Sequence, residues 1–89
     1  MHDPDATLRR RLAYASHRRG TKELDLVLGP FAEAHLEGLR GAELLRFAAL
    51  LDAPEPDLYA WICGQPAPAE HETAVLAAIR RFAAAGRRP

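Results

Sequence analysis

Histidine and cysteine are the residues of this chain that could carry metal or nucleophilic chemistry, and their placement argues against both. His2, His17, His35 and His71 are scattered, with no pair three or four residues apart, so the helical zinc arrangement is missing from the sequence. They read as solvated surface histidines. Cys63 is the only cysteine, which excludes an intramolecular disulfide and any multi-cysteine zinc site. It follows Ile62 in an apolar stretch, where a thiol usually serves as a small buried hydrophobe. To act as a nucleophile it would need a base and an electropositive setting, and only His71 could approach it, across residues 64–68. No glycine-rich phosphate loop of either standard spacing occurs. The residue inventory therefore predicts no catalytic set, no metal site and no enzyme.

The stretch with the most chemical content is Ser16-His17-Arg18-Arg19-Gly20-Thr21-Lys22-Glu23-Leu24-Asp25. Part of it has a structural reading. Gly20 and Thr21 would cap a following helix, with Glu23 in its first turn, where a carboxylate is favoured by the helix dipole. That reading leaves the gathering of charge around one glycine unexplained. A glycine before a helix also admits a foreign backbone, and flanking charges fix its orientation. Both readings stand on the sequence, and they make Arg18, Arg19, Gly20, Lys22, Glu23 and Asp25 the candidate partner-binding residues.

These residues need a scaffold, and 89 residues at 9.8 kDa suffice for one domain, with an ordered core expected over about residues 5–85. Apolar residues make up 48% and charged residues 27%, a globular balance. The twelve bases and twelve acids cancel but are segregated. Residues 1–22 hold six bases and two acids, residues 23–72 ten acids and two bases, and residues 73–89 four bases and no acid. Such polarity can orient a protein partner, or the segments can fold together and neutralise one another. The acidic middle would repel nucleic acid. No apolar run approaches the roughly 18 residues of a membrane span. Met1-His2-Asp3-Pro4-Asp5 lacks the pattern of a secretory or mitochondrial leader. With one cysteine, a cytoplasmic location is expected.

Every patterned stretch has helical period. Leu8, Leu12 and Ala15 mark a first helix, followed by a break over residues 16–20. Leu24, Val27, Leu28 and Phe31 form an i, i+3, i+4, i+7 stripe, and Gly29-Pro30 should end that helix or bend it sharply. Residues 32–36 could add a short turn. Leu44, Leu45, Ala48 and Leu51, widened by Phe47 and Leu50, face a third helix; residues 52–56 read as a turn and 57–63 as a short helix. The last helix is expected over about 69–85, with Glu70 and Glu72 in its first turn and Arg80 and Arg81 in its last, the order the dipole favours. No hairpin pattern occurs. The fold class is all-α, a compact bundle of about five short helices. Its larger core and core-edge side chains should be Leu28, Phe31, Leu44, Phe47, Leu51, Tyr59, Trp61 and Phe82.

Two motif blocks carry a family resemblance. Arg19-Gly20-Thr21-Lys22-Glu23 fits an R-G-x-x-E signature and runs on through Leu24-Asp25-Leu26-Val27-Leu28-Gly29-Pro30-Phe31. Leu50-Leu51-Asp52 and Asp57-Leu58-Tyr59-Ala60-Trp61-Ile62-Cys63-Gly64 fit a second block, L-L-x-x-x-D-x-D-L-Y-x-W-L-x-G. Together, with the basic first helix (Arg9, Arg10, Leu12, Tyr14), they resemble the succinate dehydrogenase assembly factor 2 family, also called the SdhE family of FAD assembly factors, over about residues 7–83. Thr21 stands where the family often has Met, Ile62-Cys63 replaces Leu and another apolar residue, and Pro54-Glu55-Pro56 interrupts the acidic loop.

The resemblance implies a five-helix chaperone that promotes covalent FAD attachment to a histidine of the flavoprotein subunit of succinate dehydrogenase, and possible action on that of fumarate reductase. FAD would belong to the partner and not be bound tightly by this chain, which would be a monomer when free. Gly20 would allow close approach, Glu23 would place a carboxylate near the partner's flavin site, and Arg19 would pair with a partner acid or carbonyl. The alternative is a protein-binding regulator, antitoxin-like or cytoskeleton-directed, using the same charged surface. Co-purification with or without a flavoprotein subunit separates the two.

Overall fold

Helix α1 spans Ala6–Ser16 and α2 spans Lys22–His35, followed by a 3-10 turn at Leu36–Gly38; α3 is Ala42–Leu51, α4 is Glu55–Ile62, a second 3-10 turn covers Ala69–His71, and α5 is Ala74–Gly86. These come from a computed structural model that describes residues 4–86. No strand occurs among the described residues, so the expected all-α class and five-helix count hold. Helix α2 is the centre of the arrangement, packing against α1, α4 and α5, while α3 packs against α1 and α5. The radius of gyration, 12.5 Å, is close to the roughly 12 Å of a compact chain this long.

The core is built from the periodic apolar positions. Leu24, Leu28, Phe31, Leu44, Phe47, Leu50, Leu58, Leu76 and Ile79 are essentially inaccessible, and Leu12, Ala32, Leu36, Leu51, Trp61, Ile62, Val75 and Ala83 complete the cluster. Phe31 sits at its aromatic centre, with ring centroids 5.8 Å from Phe47 and 5.7 Å from Phe82. Edge-to-face and tilted geometries of this kind suit the aromatic quadrupole.

Several expectations are corrected. Of the two outcomes expected at Gly29-Pro30, an end to the helix does not occur: α2 runs through Pro30 to His35. Proline deletes one ladder donor, but Pro30 itself is exposed while Leu28, Phe31 and Ala32 on either side are buried, so packing holds the helix across the defect. Gly29 is buried for a local reason: a Cβ there would lie 2.7 Å from Nδ1 of His17, whose imidazole covers it where α1 ends against α2. The last helix starts five residues later than expected, at Ala74, because Pro68 opens a 3-10 turn and the Thr73 hydroxyl accepts the Leu76 N–H at 3.4 Å in a capping geometry.

Glu72 consequently lies outside α5 and serves as a brace rather than a dipole partner. It accepts from Arg80 Nη1 at 2.8 Å and from the Ala67 N–H at 2.9 Å, while Arg80 also donates to the Trp61 and Gln65 carbonyls. The hydrogen bond from Arg80, then that from Ala67, lowers the Glu72 pKa. Helix α4 starts two residues early, at Glu55, since Pro56 is tolerated in a first helical turn. Side-chain burial also departs in places: Tyr59 and Leu45 are exposed, and Cys63 is an exposed residue at the C-cap of α4 rather than a buried hydrophobe.

The histidines are less uniform than expected. His17 is half-exposed, with Nε2 3.3 Å from Glu33, and exposed His35 stacks near Phe31. His71 is partly buried, its ring 5.1 Å from that of Trp61. His2 lies outside the described residues.

Candidate functional site

The signature sits at the junction between α1 and α2, and the fold divides its residues into two groups. Helix α1 ends at Ser16, which is fully buried with its hydroxyl donating to the Leu12 carbonyl at 2.7 Å. Residues 17–21 then cross to α2, whose first two positions are Lys22 and Glu23.

The inward group is a clamp. The Arg19 backbone N–H donates to Asp25 Oδ1 at 2.7 Å, and its guanidinium Nη2 donates to the Leu51 carbonyl at 2.9 Å. Its Nε lies 3.2 Å from Glu55 Oε2, close enough for an ion pair although not aligned as a hydrogen bond. The same Glu55 oxygen accepts the Gly20 N–H at 2.8 Å. One carboxylate of α4 therefore gathers the two adjacent signature residues, while the Leu51 carbonyl at the end of α3, left without a helical donor there, receives the arginine. The guanidinium that the family resemblance assigns to a partner is thus already engaged within the chain.

Gly20 lies against the same carboxylate. Its φ is not positive, so no left-handed conformation demands glycine. A Cβ at this position would stand 2.8 Å from Glu55 Oε1, so the end of the Glu55 side chain, here held by the Gly20 N–H and the Arg19 guanidinium, would have to shift. Thr21 occupies the N-cap position with extended backbone, φ −120° and ψ 142°, but its side chain makes no capping bond.

The outward group is Arg18, Lys22 and Glu23, all exposed. Arg18 lies over the ring of exposed Tyr14, 4.9 Å from its centroid. Lys22 is the first residue of α2, where a cation opposes the dipole, whereas Glu23 and Asp25 favour it. Among the described residues, the Glu23 carboxylate has no hydrogen-bond or ion-pair partner. It stands at the rim of an open groove of about 370 Å³ lined by Leu26 and Val27 of α2, Tyr59 of α4, and Phe82, Ala83 and Gly86 of α5. A second hollow of about 340 Å³, bordered by Thr21, Glu55 and Pro56, adjoins it through Glu23 and Tyr59.

All six sequence-predicted residues thus lie in one region, three engaged with the fold and three facing solvent. Sequence reasoning missed Glu55 and the apolar groove. An acid between two prolines, at a position where the second motif block has an acid, was the available signal for Glu55; nothing in helical period marks Leu26, Tyr59 and Phe82 as neighbours.

No group of three or more acidic, histidine or cysteine side chains among the described residues could hold a metal ion. Among those residues, no helix is long and apolar enough to cross a membrane.

Comparison with known proteins adds to this geometry. The family described as the flavinator of succinate dehydrogenase matches residues 10–83. The chain is 38% identical over 72 residues to the FAD assembly factor SdhE of Acetobacter pasteurianus, a match covering 80% of this chain and 66% of that protein. It is 39% identical over 74 residues to the mitochondrial succinate dehydrogenase assembly factor 2 of Dictyostelium discoideum, covering 82% and 52%. With the FAD assembly factor SdhE of Vibrio cholerae it shares 47% identity over 47 residues, covering 53% and 55%. The chain spans between about half and two thirds of the length of these curated relatives. The resemblance carried by the two motif blocks is borne out: the chain belongs to the family described as the flavinator of succinate dehydrogenase.

Proposed function

We propose that this protein is an assembly factor that promotes covalent attachment of FAD to the flavoprotein subunit of succinate dehydrogenase, and to that of fumarate reductase where present. It acts as a chaperone rather than an enzyme. The partner and FAD supply the reacting groups, and this chain stabilises a competent arrangement of the partner. The observation that carries the reading is family membership over residues 10–83, with the signature gathered at one exposed helix junction. FAD belongs to the partner in this reading: the groove beside the signature is open and about 370 Å³, at the small end of the ~300–1,000 Å³ typical of ligand pockets.

Within the site, Arg19, Gly20 and Asp25 hold the junction in shape, and Arg18, Lys22 and Glu23 meet the partner. The free protein is a monomer in a cytoplasmic, reducing compartment, in keeping with a single exposed thiol. The test is direct. Apo flavoprotein subunit is incubated with excess FAD, with and without this protein, and flavin fluorescence retained after denaturing electrophoresis is followed in time. Faster flavinylation in its presence is expected, and an unchanged rate would refute the reading.

A further inference from the structure

Three carboxylates surround the signature, and the chain itself uses two of them. Asp25 accepts the Arg19 N–H, and Glu55 accepts the Gly20 N–H and faces the Arg19 guanidinium. The Glu23 carboxylate has no partner among the described residues, and it stands at the rim of a groove lined mainly by apolar side chains. Leu26, one turn along α2, is 65% exposed and shares the groove with exposed Tyr59 and partly buried Phe82, which together make a contiguous apolar patch rather than a lone exposed leucine.

An unpaired anion beside an apolar trough has a chemical complement: a cation carried on an apolar stem. Arginine fits best, because its guanidinium is weakly hydrated and matches a carboxylate through two parallel donors, while its methylenes cover apolar surface. Such an anchor is also the residue type that dominates binding energy at protein interfaces.

We propose that the groove between α2, α4 and α5 receives an arginine-bearing apolar segment of the flavoprotein subunit, with the guanidinium on Glu23 and the neighbouring apolar side chains against Leu26 and Phe82. The inference rests on the function proposed above and specifies the chemistry of the partner surface that the site takes. It extends the contact region from the charged signature to a face of α2 that the signature does not include.

The experiment measures affinity of the full chain for purified apo flavoprotein subunit at low and moderate salt. Leu26→Asp places a second anion in the trough and should weaken binding at least tenfold; Leu26→Met keeps it apolar and should stay within about threefold of wild type. Glu23→Gln should weaken binding and flatten its salt dependence, since the lost contact is ionic. Melting curves confirm that the exposed positions leave the fold intact. A photo-crosslinking amino acid at position 26 should capture a partner peptide containing arginine. Wild-type affinity in Leu26→Asp, or a crosslink to a second copy of this chain, overturns the groove assignment while leaving the assembly-factor reading standing. Absence of any binding by the wild-type chain refutes that reading as well.

Discussion

Between Arg18 and Asp25 the chain turns one set of side chains into its own fold and another toward solvent. Arg19, Gly20 and Asp25 are tied to one another, to the Leu51 carbonyl and to Glu55. Arg18, Lys22 and Glu23 are exposed, and Glu23 borders an apolar groove. The two sets alternate in sequence, so a pentapeptide that looks like one functional unit is two. The arginine and glycine shape the junction; the glutamate is what the junction presents. On the function proposed above, a mutation in the first set should act through stability and geometry, and one in the second on a partner.

The broadest way to break both sets at once is to remove the platform beneath them. Phe47 is fully buried against Phe31, which α2 contributes to the core. Phe47→Ala should cost about 3–5 kcal/mol, a large part of the stability of a domain this small, and should depress the thermal melt and any partner activity together.

The clamp itself should be next in size. Arg19→Ala removes the donor to the Leu51 carbonyl and the counter-charge of Glu55, both partly buried, and should cost about 1–3 kcal/mol in denaturant unfolding. Activity should fall with it, and Arg19→Lys should restore only part, because an ammonium cannot span the carbonyl and the carboxylate as a guanidinium does.

A double-mutant cycle sharpens the comparison. Gly20→Ala should destabilise the wild-type protein through the Cβ contact with Glu55, yet be much better tolerated in Glu55→Ala, giving a coupling of about 0.5–3 kcal/mol. Additive losses would mean that Gly20 is glycine for a reason outside the chain, such as close approach of a partner backbone.

The smallest effect lies away from the signature. Because its folded pKa is lowered, Glu72 contributes stability above its ordinary value of 4.5, lost as pH falls through the lowered folded value. Glu72→Gln should therefore flatten the acid limb of stability slightly, leaving the signature's behaviour unchanged. Thermal melts from pH 6 down to about pH 3 would read this difference.

Much of the fold was legible because the apolar stripes are strictly helical. Leu24, Leu28 and Phe31, and Leu44, Phe47 and Leu51, are buried where period alone puts them. Whether Pro30 would end α2 was not legible, because local rules weigh a lost donor and an unfavourable ring, while the burial of Phe31 and Ala32 beyond it is a tertiary fact. The start of α5 misled because two carboxylates before an apolar run resemble a first turn, whereas Glu72 is claimed by Arg80 eight residues on. The location of the site was legible from charge clustering around Gly20. Its division was not: that Arg19 turns inward depends on Leu51 and Glu55, more than 30 residues away in sequence.

The central claim is that Glu23 acts on the partner and not on the fold, and one variant tests it. Glu23→Ala, at an exposed position whose side chain has no partner among the described residues, should melt within about 0.5 kcal/mol of wild type. In the fluorescence assay with excess FAD it should nevertheless attach flavin to the flavoprotein subunit clearly more slowly than the wild-type chain does. A folded Glu23→Ala protein that supports flavinylation at the wild-type rate would contradict the claim.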